Sequence, residues 1–148
     1  MAMHTWFECK IRYEKVMENG MQKKVTEPYL VDALSFTEAE ARIIEEMTPF
    51  ISGEFTVSDI KRANYSELFP SDEESADRWF KCKLIFITLD EKSGAEKKTS
   101  TQVLVQAADL RDAVKKLDEG MKGTMADYQI GMVSETPLMD VYPYSAEP

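Results

Sequence analysis

The sequence predicts an α+β fold in which one β-β-α-β-β unit occurs twice. Three observations predict it. WFECK at residues 6–10 returns as WFKCK at 79–83, and these two stretches use both Trp and both Cys of the chain. The opening segment of each copy alternates apolar and polar residues with the period of a half-buried strand. The middle of each copy instead carries apolar residues at helical spacing.

The repeat extends well beyond its first five residues. Trp6, Phe7, Cys9, Lys10, Ile11 and Tyr13 match Trp79, Phe80, Cys82, Lys83, Leu84 and Phe86, all 73 residues apart. Lys24 with Lys97, Thr26 with Thr99, and Leu68-Phe69-Pro70 with Val141-Tyr142-Pro143 keep that spacing. The helical stretch fits at 74: Phe36 with Leu110, Ala39 with Ala113, Ile43 with Leu117, Met47 with Met121. One residue inserted before the helix and removed after it accounts for both offsets. Coincidence of the rare residues Trp and Cys, with matches over so long a span, indicates an internal duplication.

Each element follows from local chemistry. Phe7, Cys9, Ile11 and Tyr13 form the inward row of the first strand, and Phe80, Cys82, Leu84 and Phe86 that of its counterpart. The turns ENG (18–20) and EKSG (91–94) supply residues tolerant of positive φ. TEPYLVDAL and TSTQVLVQA give the second strands, with Pro28 at a beginning or an edge because it donates nothing to a ladder. Ser35 with Glu38, and Asp109 with Asp112, have capping-box spacing. Pro49 and Gly120 help to end the helices, and Phe55 and Tyr128 open the third strands. The expected whole is a single compact domain over 1–148. Repeats 6–70 and 79–143 flank an acidic linker at 71–78, with an antiparallel sheet carrying both helices on one face about a pseudo-twofold axis.

Composition narrows the function. The net charge of −9 opposes general affinity for nucleic acid or anionic membrane. That charge is uneven: −4 over 6–70, −3 over 71–78 and −1 over 79–143, so any basic surface is expected on the second copy. No apolar run is long enough to cross a bilayer, and the first residues lack the pattern of a signal peptide. Two Cys in such a chain point to free thiols in a reducing cytoplasm. Cys9 and Cys82 are read as small apolar core residues.

Catalytic and cofactor motifs are sparse. One His, His4, and two inward Cys without a CxxC make no metal set, and no nucleophile–His pair recurs. The six Gly form no phosphate loop. Asp32 stands out within the apolar run YLVDAL, opposite Val105 of the second copy at the 73 offset. It is read as a strand-end residue bonded to a neighbouring turn. No cofactor, metal or catalytic residue is therefore expected.

One surface remains. Alternation puts Trp6, Lys10 and Arg12, and Trp79, Lys81 and Lys83, on the face opposite the core row. Lys24 and Lys97, each beside a second Lys (Lys23, Lys98), extend it. Rings for stacking and cations for phosphates are what a binder of single-stranded DNA or RNA needs. Ile85 and Ile87 share that face and favour instead a protein interface, either with a partner or within a homodimer. The leading expectation is a non-catalytic accessory protein acting through protein–protein contact; nucleic-acid binding is the alternative.

The stretch KKVTEPYLVDALSFTEAEARI (23–43), following WFECKIRYEK, resembles a family catalogued as domain of unknown function 4494. The resemblance covers nearly the whole chain, with YLVDALSFTEAEARI its most specific segment. It implies a bacterial or phage origin and a cytoplasmic setting, and it brings no activity or site residues.

Overall fold

The computed structural model describes residues 5–124 and 127–143. His4 lies outside the described residues. The elements run β1 (Trp6–Val16), β2 (Gln22–Asp32), α1 (Phe36–Met47), β3 (Phe55–Ala63), β4 (Glu67–Phe69), β5 (Arg78–Leu89), β6 (Glu96–Ala107), α2 (Leu110–Gly120), β7 (Tyr128–Glu135) and β8 (Val141–Tyr142). The fold is α+β with two four-stranded sheets, β3-β1-β2-β8 and β4-β6-β5-β7. Each sheet is mixed. Its three long strands are antiparallel and its short fourth strand runs parallel to the hairpin's return strand.

The fourth strands are exchanged between repeats. β4 belongs to the first repeat in sequence but pairs with β6, and β8 belongs to the second but pairs with β2. The two compact units are accordingly cut differently from the repeats. One holds residues up to Asn64 together with those from Pro137; the other is Tyr65–Thr136. Segment 71–78, expected as a linker, lies within the second unit. There Ser71 donates its N–H to Gln106 Oε1 at 2.9 Å, Ala76 is buried, and Lys116 reaches Ser71 Oγ and Glu73, each at 3.2 Å.

Cross-strand register refines the repeat spacing. Cys9 faces Tyr29 and Cys82 faces Val103, so the second strands are offset by 74 from their first residue. The inserted residue therefore sits in the hairpin turn, where Gly20 (φ 81°) and Gly94 (φ 71°) take the left-handed conformation. The spacing returns to 73 in the third strands. Each of these carries a bulge at the same place: Ser58 is extra between Lys10 and Ile11, and Gly131 between Lys83 and Leu84. A further consequence is that Asp32 corresponds to Gln106 and not to Val105. Asp32 Oδ1 accepts the N–H of Thr5, the residue before β1, at 3.1 Å, as Gln106 Oε1 accepts that of Ser71; neither donor lies in a turn.

Both helices start as their sequences dictate. Ser35 Oγ accepts from Glu38 N–H at 3.1 Å while Glu38 Oε1 accepts from Leu34 N–H. Asp109 and Asp112 repeat the pair, at 2.8 Å and with Ala108. Each helix buries one stripe against its own sheet. Ala39, Ile43 and Met47 meet Phe7, Cys9, Ile11 and Val31; Ala113 and Leu117 meet Phe80, Cys82, Leu84, Val103 and Val105. Gly120 does not end α2 through a positive φ, a conformation found instead at Gly123 (φ 88°). Its missing Cβ makes room for the Phe69 ring, which would lie 2.9 Å from it.

Candidate functional site

The residues expected to bind nucleic acid do not form one platform. Trp6 and Trp79 are 2% and 5% exposed, so neither ring offers a face to a base. Alternation correctly assigned them to the face away from the helix, since neither belongs to the helix-side cores. What alternation cannot give is whether that face is covered. Leu30 and Leu104, on the same faces, are fully buried. Lys10, Lys81 and Lys83 lie mid-strand and half-buried, whereas Arg12, Lys24 and Lys97 are exposed towards the hairpin ends.

The surroundings of these cations differ between units. Around Lys10 the same face carries Glu8, directly opposite residue Asp59, and a Glu8–Lys61 ion pair at 3.8 Å. Lys81 and Lys83 face Ser134 and Met132 on one side, and Leu104 and Gln102 on the other, none of them acidic. The cationic face of the second unit is thus the less compensated.

Arg12 and Lys24 are brought together, in an open groove of about 920 Å³ in the first unit. One wall is the end of the β1–β2 hairpin, including Tyr13, Lys15 and Val16; the other is the loop after α1, including Phe50, with Phe55 at the start of β3. Phe50 is 76% exposed and Val16 65%, large apolar surfaces beside three cations.

At the inner end of this wall is a cluster that sequence inspection overlooked. Glu27 lies in the core-facing row of β2, between Val25 and Tyr29, across from Ile11. Its Oε1 accepts the hydroxyls of Tyr13 at 2.8 Å and Tyr29 at 3.4 Å, and its Oε2 lies 3.6 Å from Lys15 Nζ. Tyr142 stacks on Tyr29, ring centroids 6.2 Å apart. Burial, then the bond to Glu27, pushes the Tyr13 hydroxyl up to about 12. Burial and the Glu27 charge raise Tyr29 as well, and burial with Asp140 and Glu46 raises Tyr142 to about 12. These hydroxyls are therefore protonated donors at neutral pH. The available signal was Glu27 itself, a carboxylate at an inward position of a strand.

The thiols are unreactive by placement. Cys9 and Cys82 are buried, and desolvation lifts them to about 12 and about 11. Among the described residues no three His, Cys, Asp or Glu side chains gather to hold a metal ion, and no helix is long and apolar enough to cross a membrane.

Comparison with protein families matches residues 5–144 to the family described as "Domain of unknown function (DUF4494)", and the chain belongs to that family. Among curated proteins and solved structures, nothing matches it.

Proposed function

We propose that this member of the domain of unknown function 4494 family is a non-catalytic accessory protein that acts by protein–protein contact in a bacterial cytoplasm. The observation that carries the reading is the groove of the first unit. Exposed apolar side chains, Phe50 and Val16, sit there beside a charged rim of Arg12, Lys15 and Lys24 with Glu14 and Glu54. Apolar surface with a charged border is what a protein partner covers. The Glu27 cluster supports it, because it holds Tyr13 and Lys15, two wall residues, in fixed positions. The cytoplasmic setting is supported by two buried free thiols. Binding of single-stranded nucleic acid is the weaker reading, since burial of Trp6 and Trp79 leaves only charge to hold a strand.

The test is a photo-crosslinking amino acid in place of Phe50, in the protein expressed in its own cells. The expected result is a discrete protein adduct at that position, absent when the same residue replaces Leu89, which is exposed in the second unit. A nucleic-acid adduct, or no adduct at Phe50, would overturn the reading.

A further inference from the structure

We propose that the free edge of β2, residues 22–27, accepts an extended acidic segment of a protein partner as an additional strand. This proposal rests on the protein-binding reading and names the kind of partner.

The edge is already an acceptor over part of its length. Leu30 donates its N–H to Asp140 O at 3.0 Å, and Pro28 O accepts the N–H of Met139 at 2.9 Å. Residues 28 and 30 therefore turn their backbone groups outward, and the period of two turns those of Gln22, Lys24 and Thr26 the same way. β8 covers only Leu30 and Val31, and among the described residues no other strand flanks β2 on that side. Pro28, which has no N–H to offer, marks the point where coverage begins. The opening is about 20 Å long at roughly 3.3 Å per residue, enough for five or six residues of a partner.

Charge selects the occupant. The free stretch carries Lys23 and Lys24 against Glu27, and β1 sets Lys15 and Arg12 against Glu14 across from it, so the edge is net positive even with Lys15 paired to Glu27. A second copy adding by the same edge would bring its own Lys23 and Lys24 into the shared ribbon, and like charges on adjacent strands repel. A segment with carboxylates at alternate positions sets them on the face of Lys24, the face through which Gln22 and Lys24 also line the groove. The second unit keeps the feature. β4 covers β6 only over Val103–Val105, and Lys97 and Lys98 stand in the register of Lys23 and Lys24. Lysines also discourage unwanted edge pairing, so the experiment must separate guarding from accepting.

The probe is a short acidic peptide of alternating glutamate and valine, added to the full-length protein labelled for amide hydrogen exchange. At saturating peptide, exchange at Gln22, Lys24 and Thr26 is expected to slow at least about tenfold. The same peptide with every backbone nitrogen methylated keeps the charge but has no N–H to donate from either edge, and is expected to protect none of them. Lys24→Glu is expected to weaken the parent peptide severalfold. Absence of slowing, or equal slowing by the methylated peptide, would overturn strand addition. Either result leaves the Phe50 crosslink untouched, whereas loss of that crosslink alone strikes the protein-binding reading.

Discussion

Where the first unit places Tyr13, Glu27, Tyr29 and Lys15, the second places Phe86, Thr101, Val103 and Thr88 at the same register. Of the second set, Phe86 and Val103 pack with the apolar core, Phe86 tilted against Tyr128 with ring centroids 6.1 Å apart, while the Thr101 and Thr88 hydroxyls bond Ser66 Oγ and the Lys97 carbonyl. The first set gathers a carboxylate, two hydroxyls and an ammonium where the second has a phenyl ring, a valine and two uncharged threonines. Polar groups in such a position cost desolvation and return little net stability once paired. Their presence in one copy alone, on the wall of that copy's groove, separates what the fold needs from what this unit adds.

Substitutions in both units test that contrast. Ile43→Ala and Leu117→Ala remove equivalent, fully buried side chains, and each is expected to cost about 2–5 kcal/mol by chemical denaturation. Similar losses would mark the two cores as equivalent; a gap wider than the contrast in the clusters would shift attention to the cores. Next, Gly120→Ala brings a Cβ to 2.9 Å from the Phe69 ring and is expected to cost about 1–3 kcal/mol despite the helix preference of alanine. The first unit has Glu46 at that helix position and Tyr142 in place of Phe69, so Glu46→Ala should cost far less.

Glu27→Leu leaves two tyrosine hydroxyls without their acceptor, and is expected to lose about 1–3 kcal/mol. Converting Tyr13, Glu27 and Tyr29 together to Phe, Thr and Val copies the second unit, and should be close to neutral for stability while weakening the Phe50 crosslink. Neutral stability with an undiminished crosslink would make the cluster a packing variant without a role in binding. The smallest effect is with pH. Tyr13 titrates at about 12 in the fold against 10.0 ordinarily, so the stability it lends is present below pH 10.0 and is lost as pH rises through about 12. Tyrosinate absorbance should show a late step shared with Tyr29 and Tyr142, and Tyr13→Phe should remove one tyrosine's amplitude from it.

Much of this architecture was legible in residue patterns, for reasons that are local. Inward rows, N-caps and turns depend on neighbours within a few positions, which is why Ser35–Glu38 and Asp109–Asp112 form as their spacing implies. The exchange of β4 and β8 was not legible. Strands of three and two residues carry no periodicity, and choosing between two similar edges is a tertiary matter. Burial of Trp6 and Trp79 was hidden for a related reason, as alternation names a face without naming what covers it. The Glu27 cluster was half visible. An inward carboxylate in TEPYL could be seen, but its tyrosine partners become neighbours only through the β1–β2 register.

The exchanged strands bear on how this chain can be divided. A cut between residues 72 and 75 falls at the seam of the repeats, yet each resulting piece would still contribute an edge to the other's sheet. Neither half of the gene encodes a finished sheet. Truncation at the sequence boundary would therefore yield two incomplete bodies, and a protease acting there would nick the molecule without releasing a self-contained half.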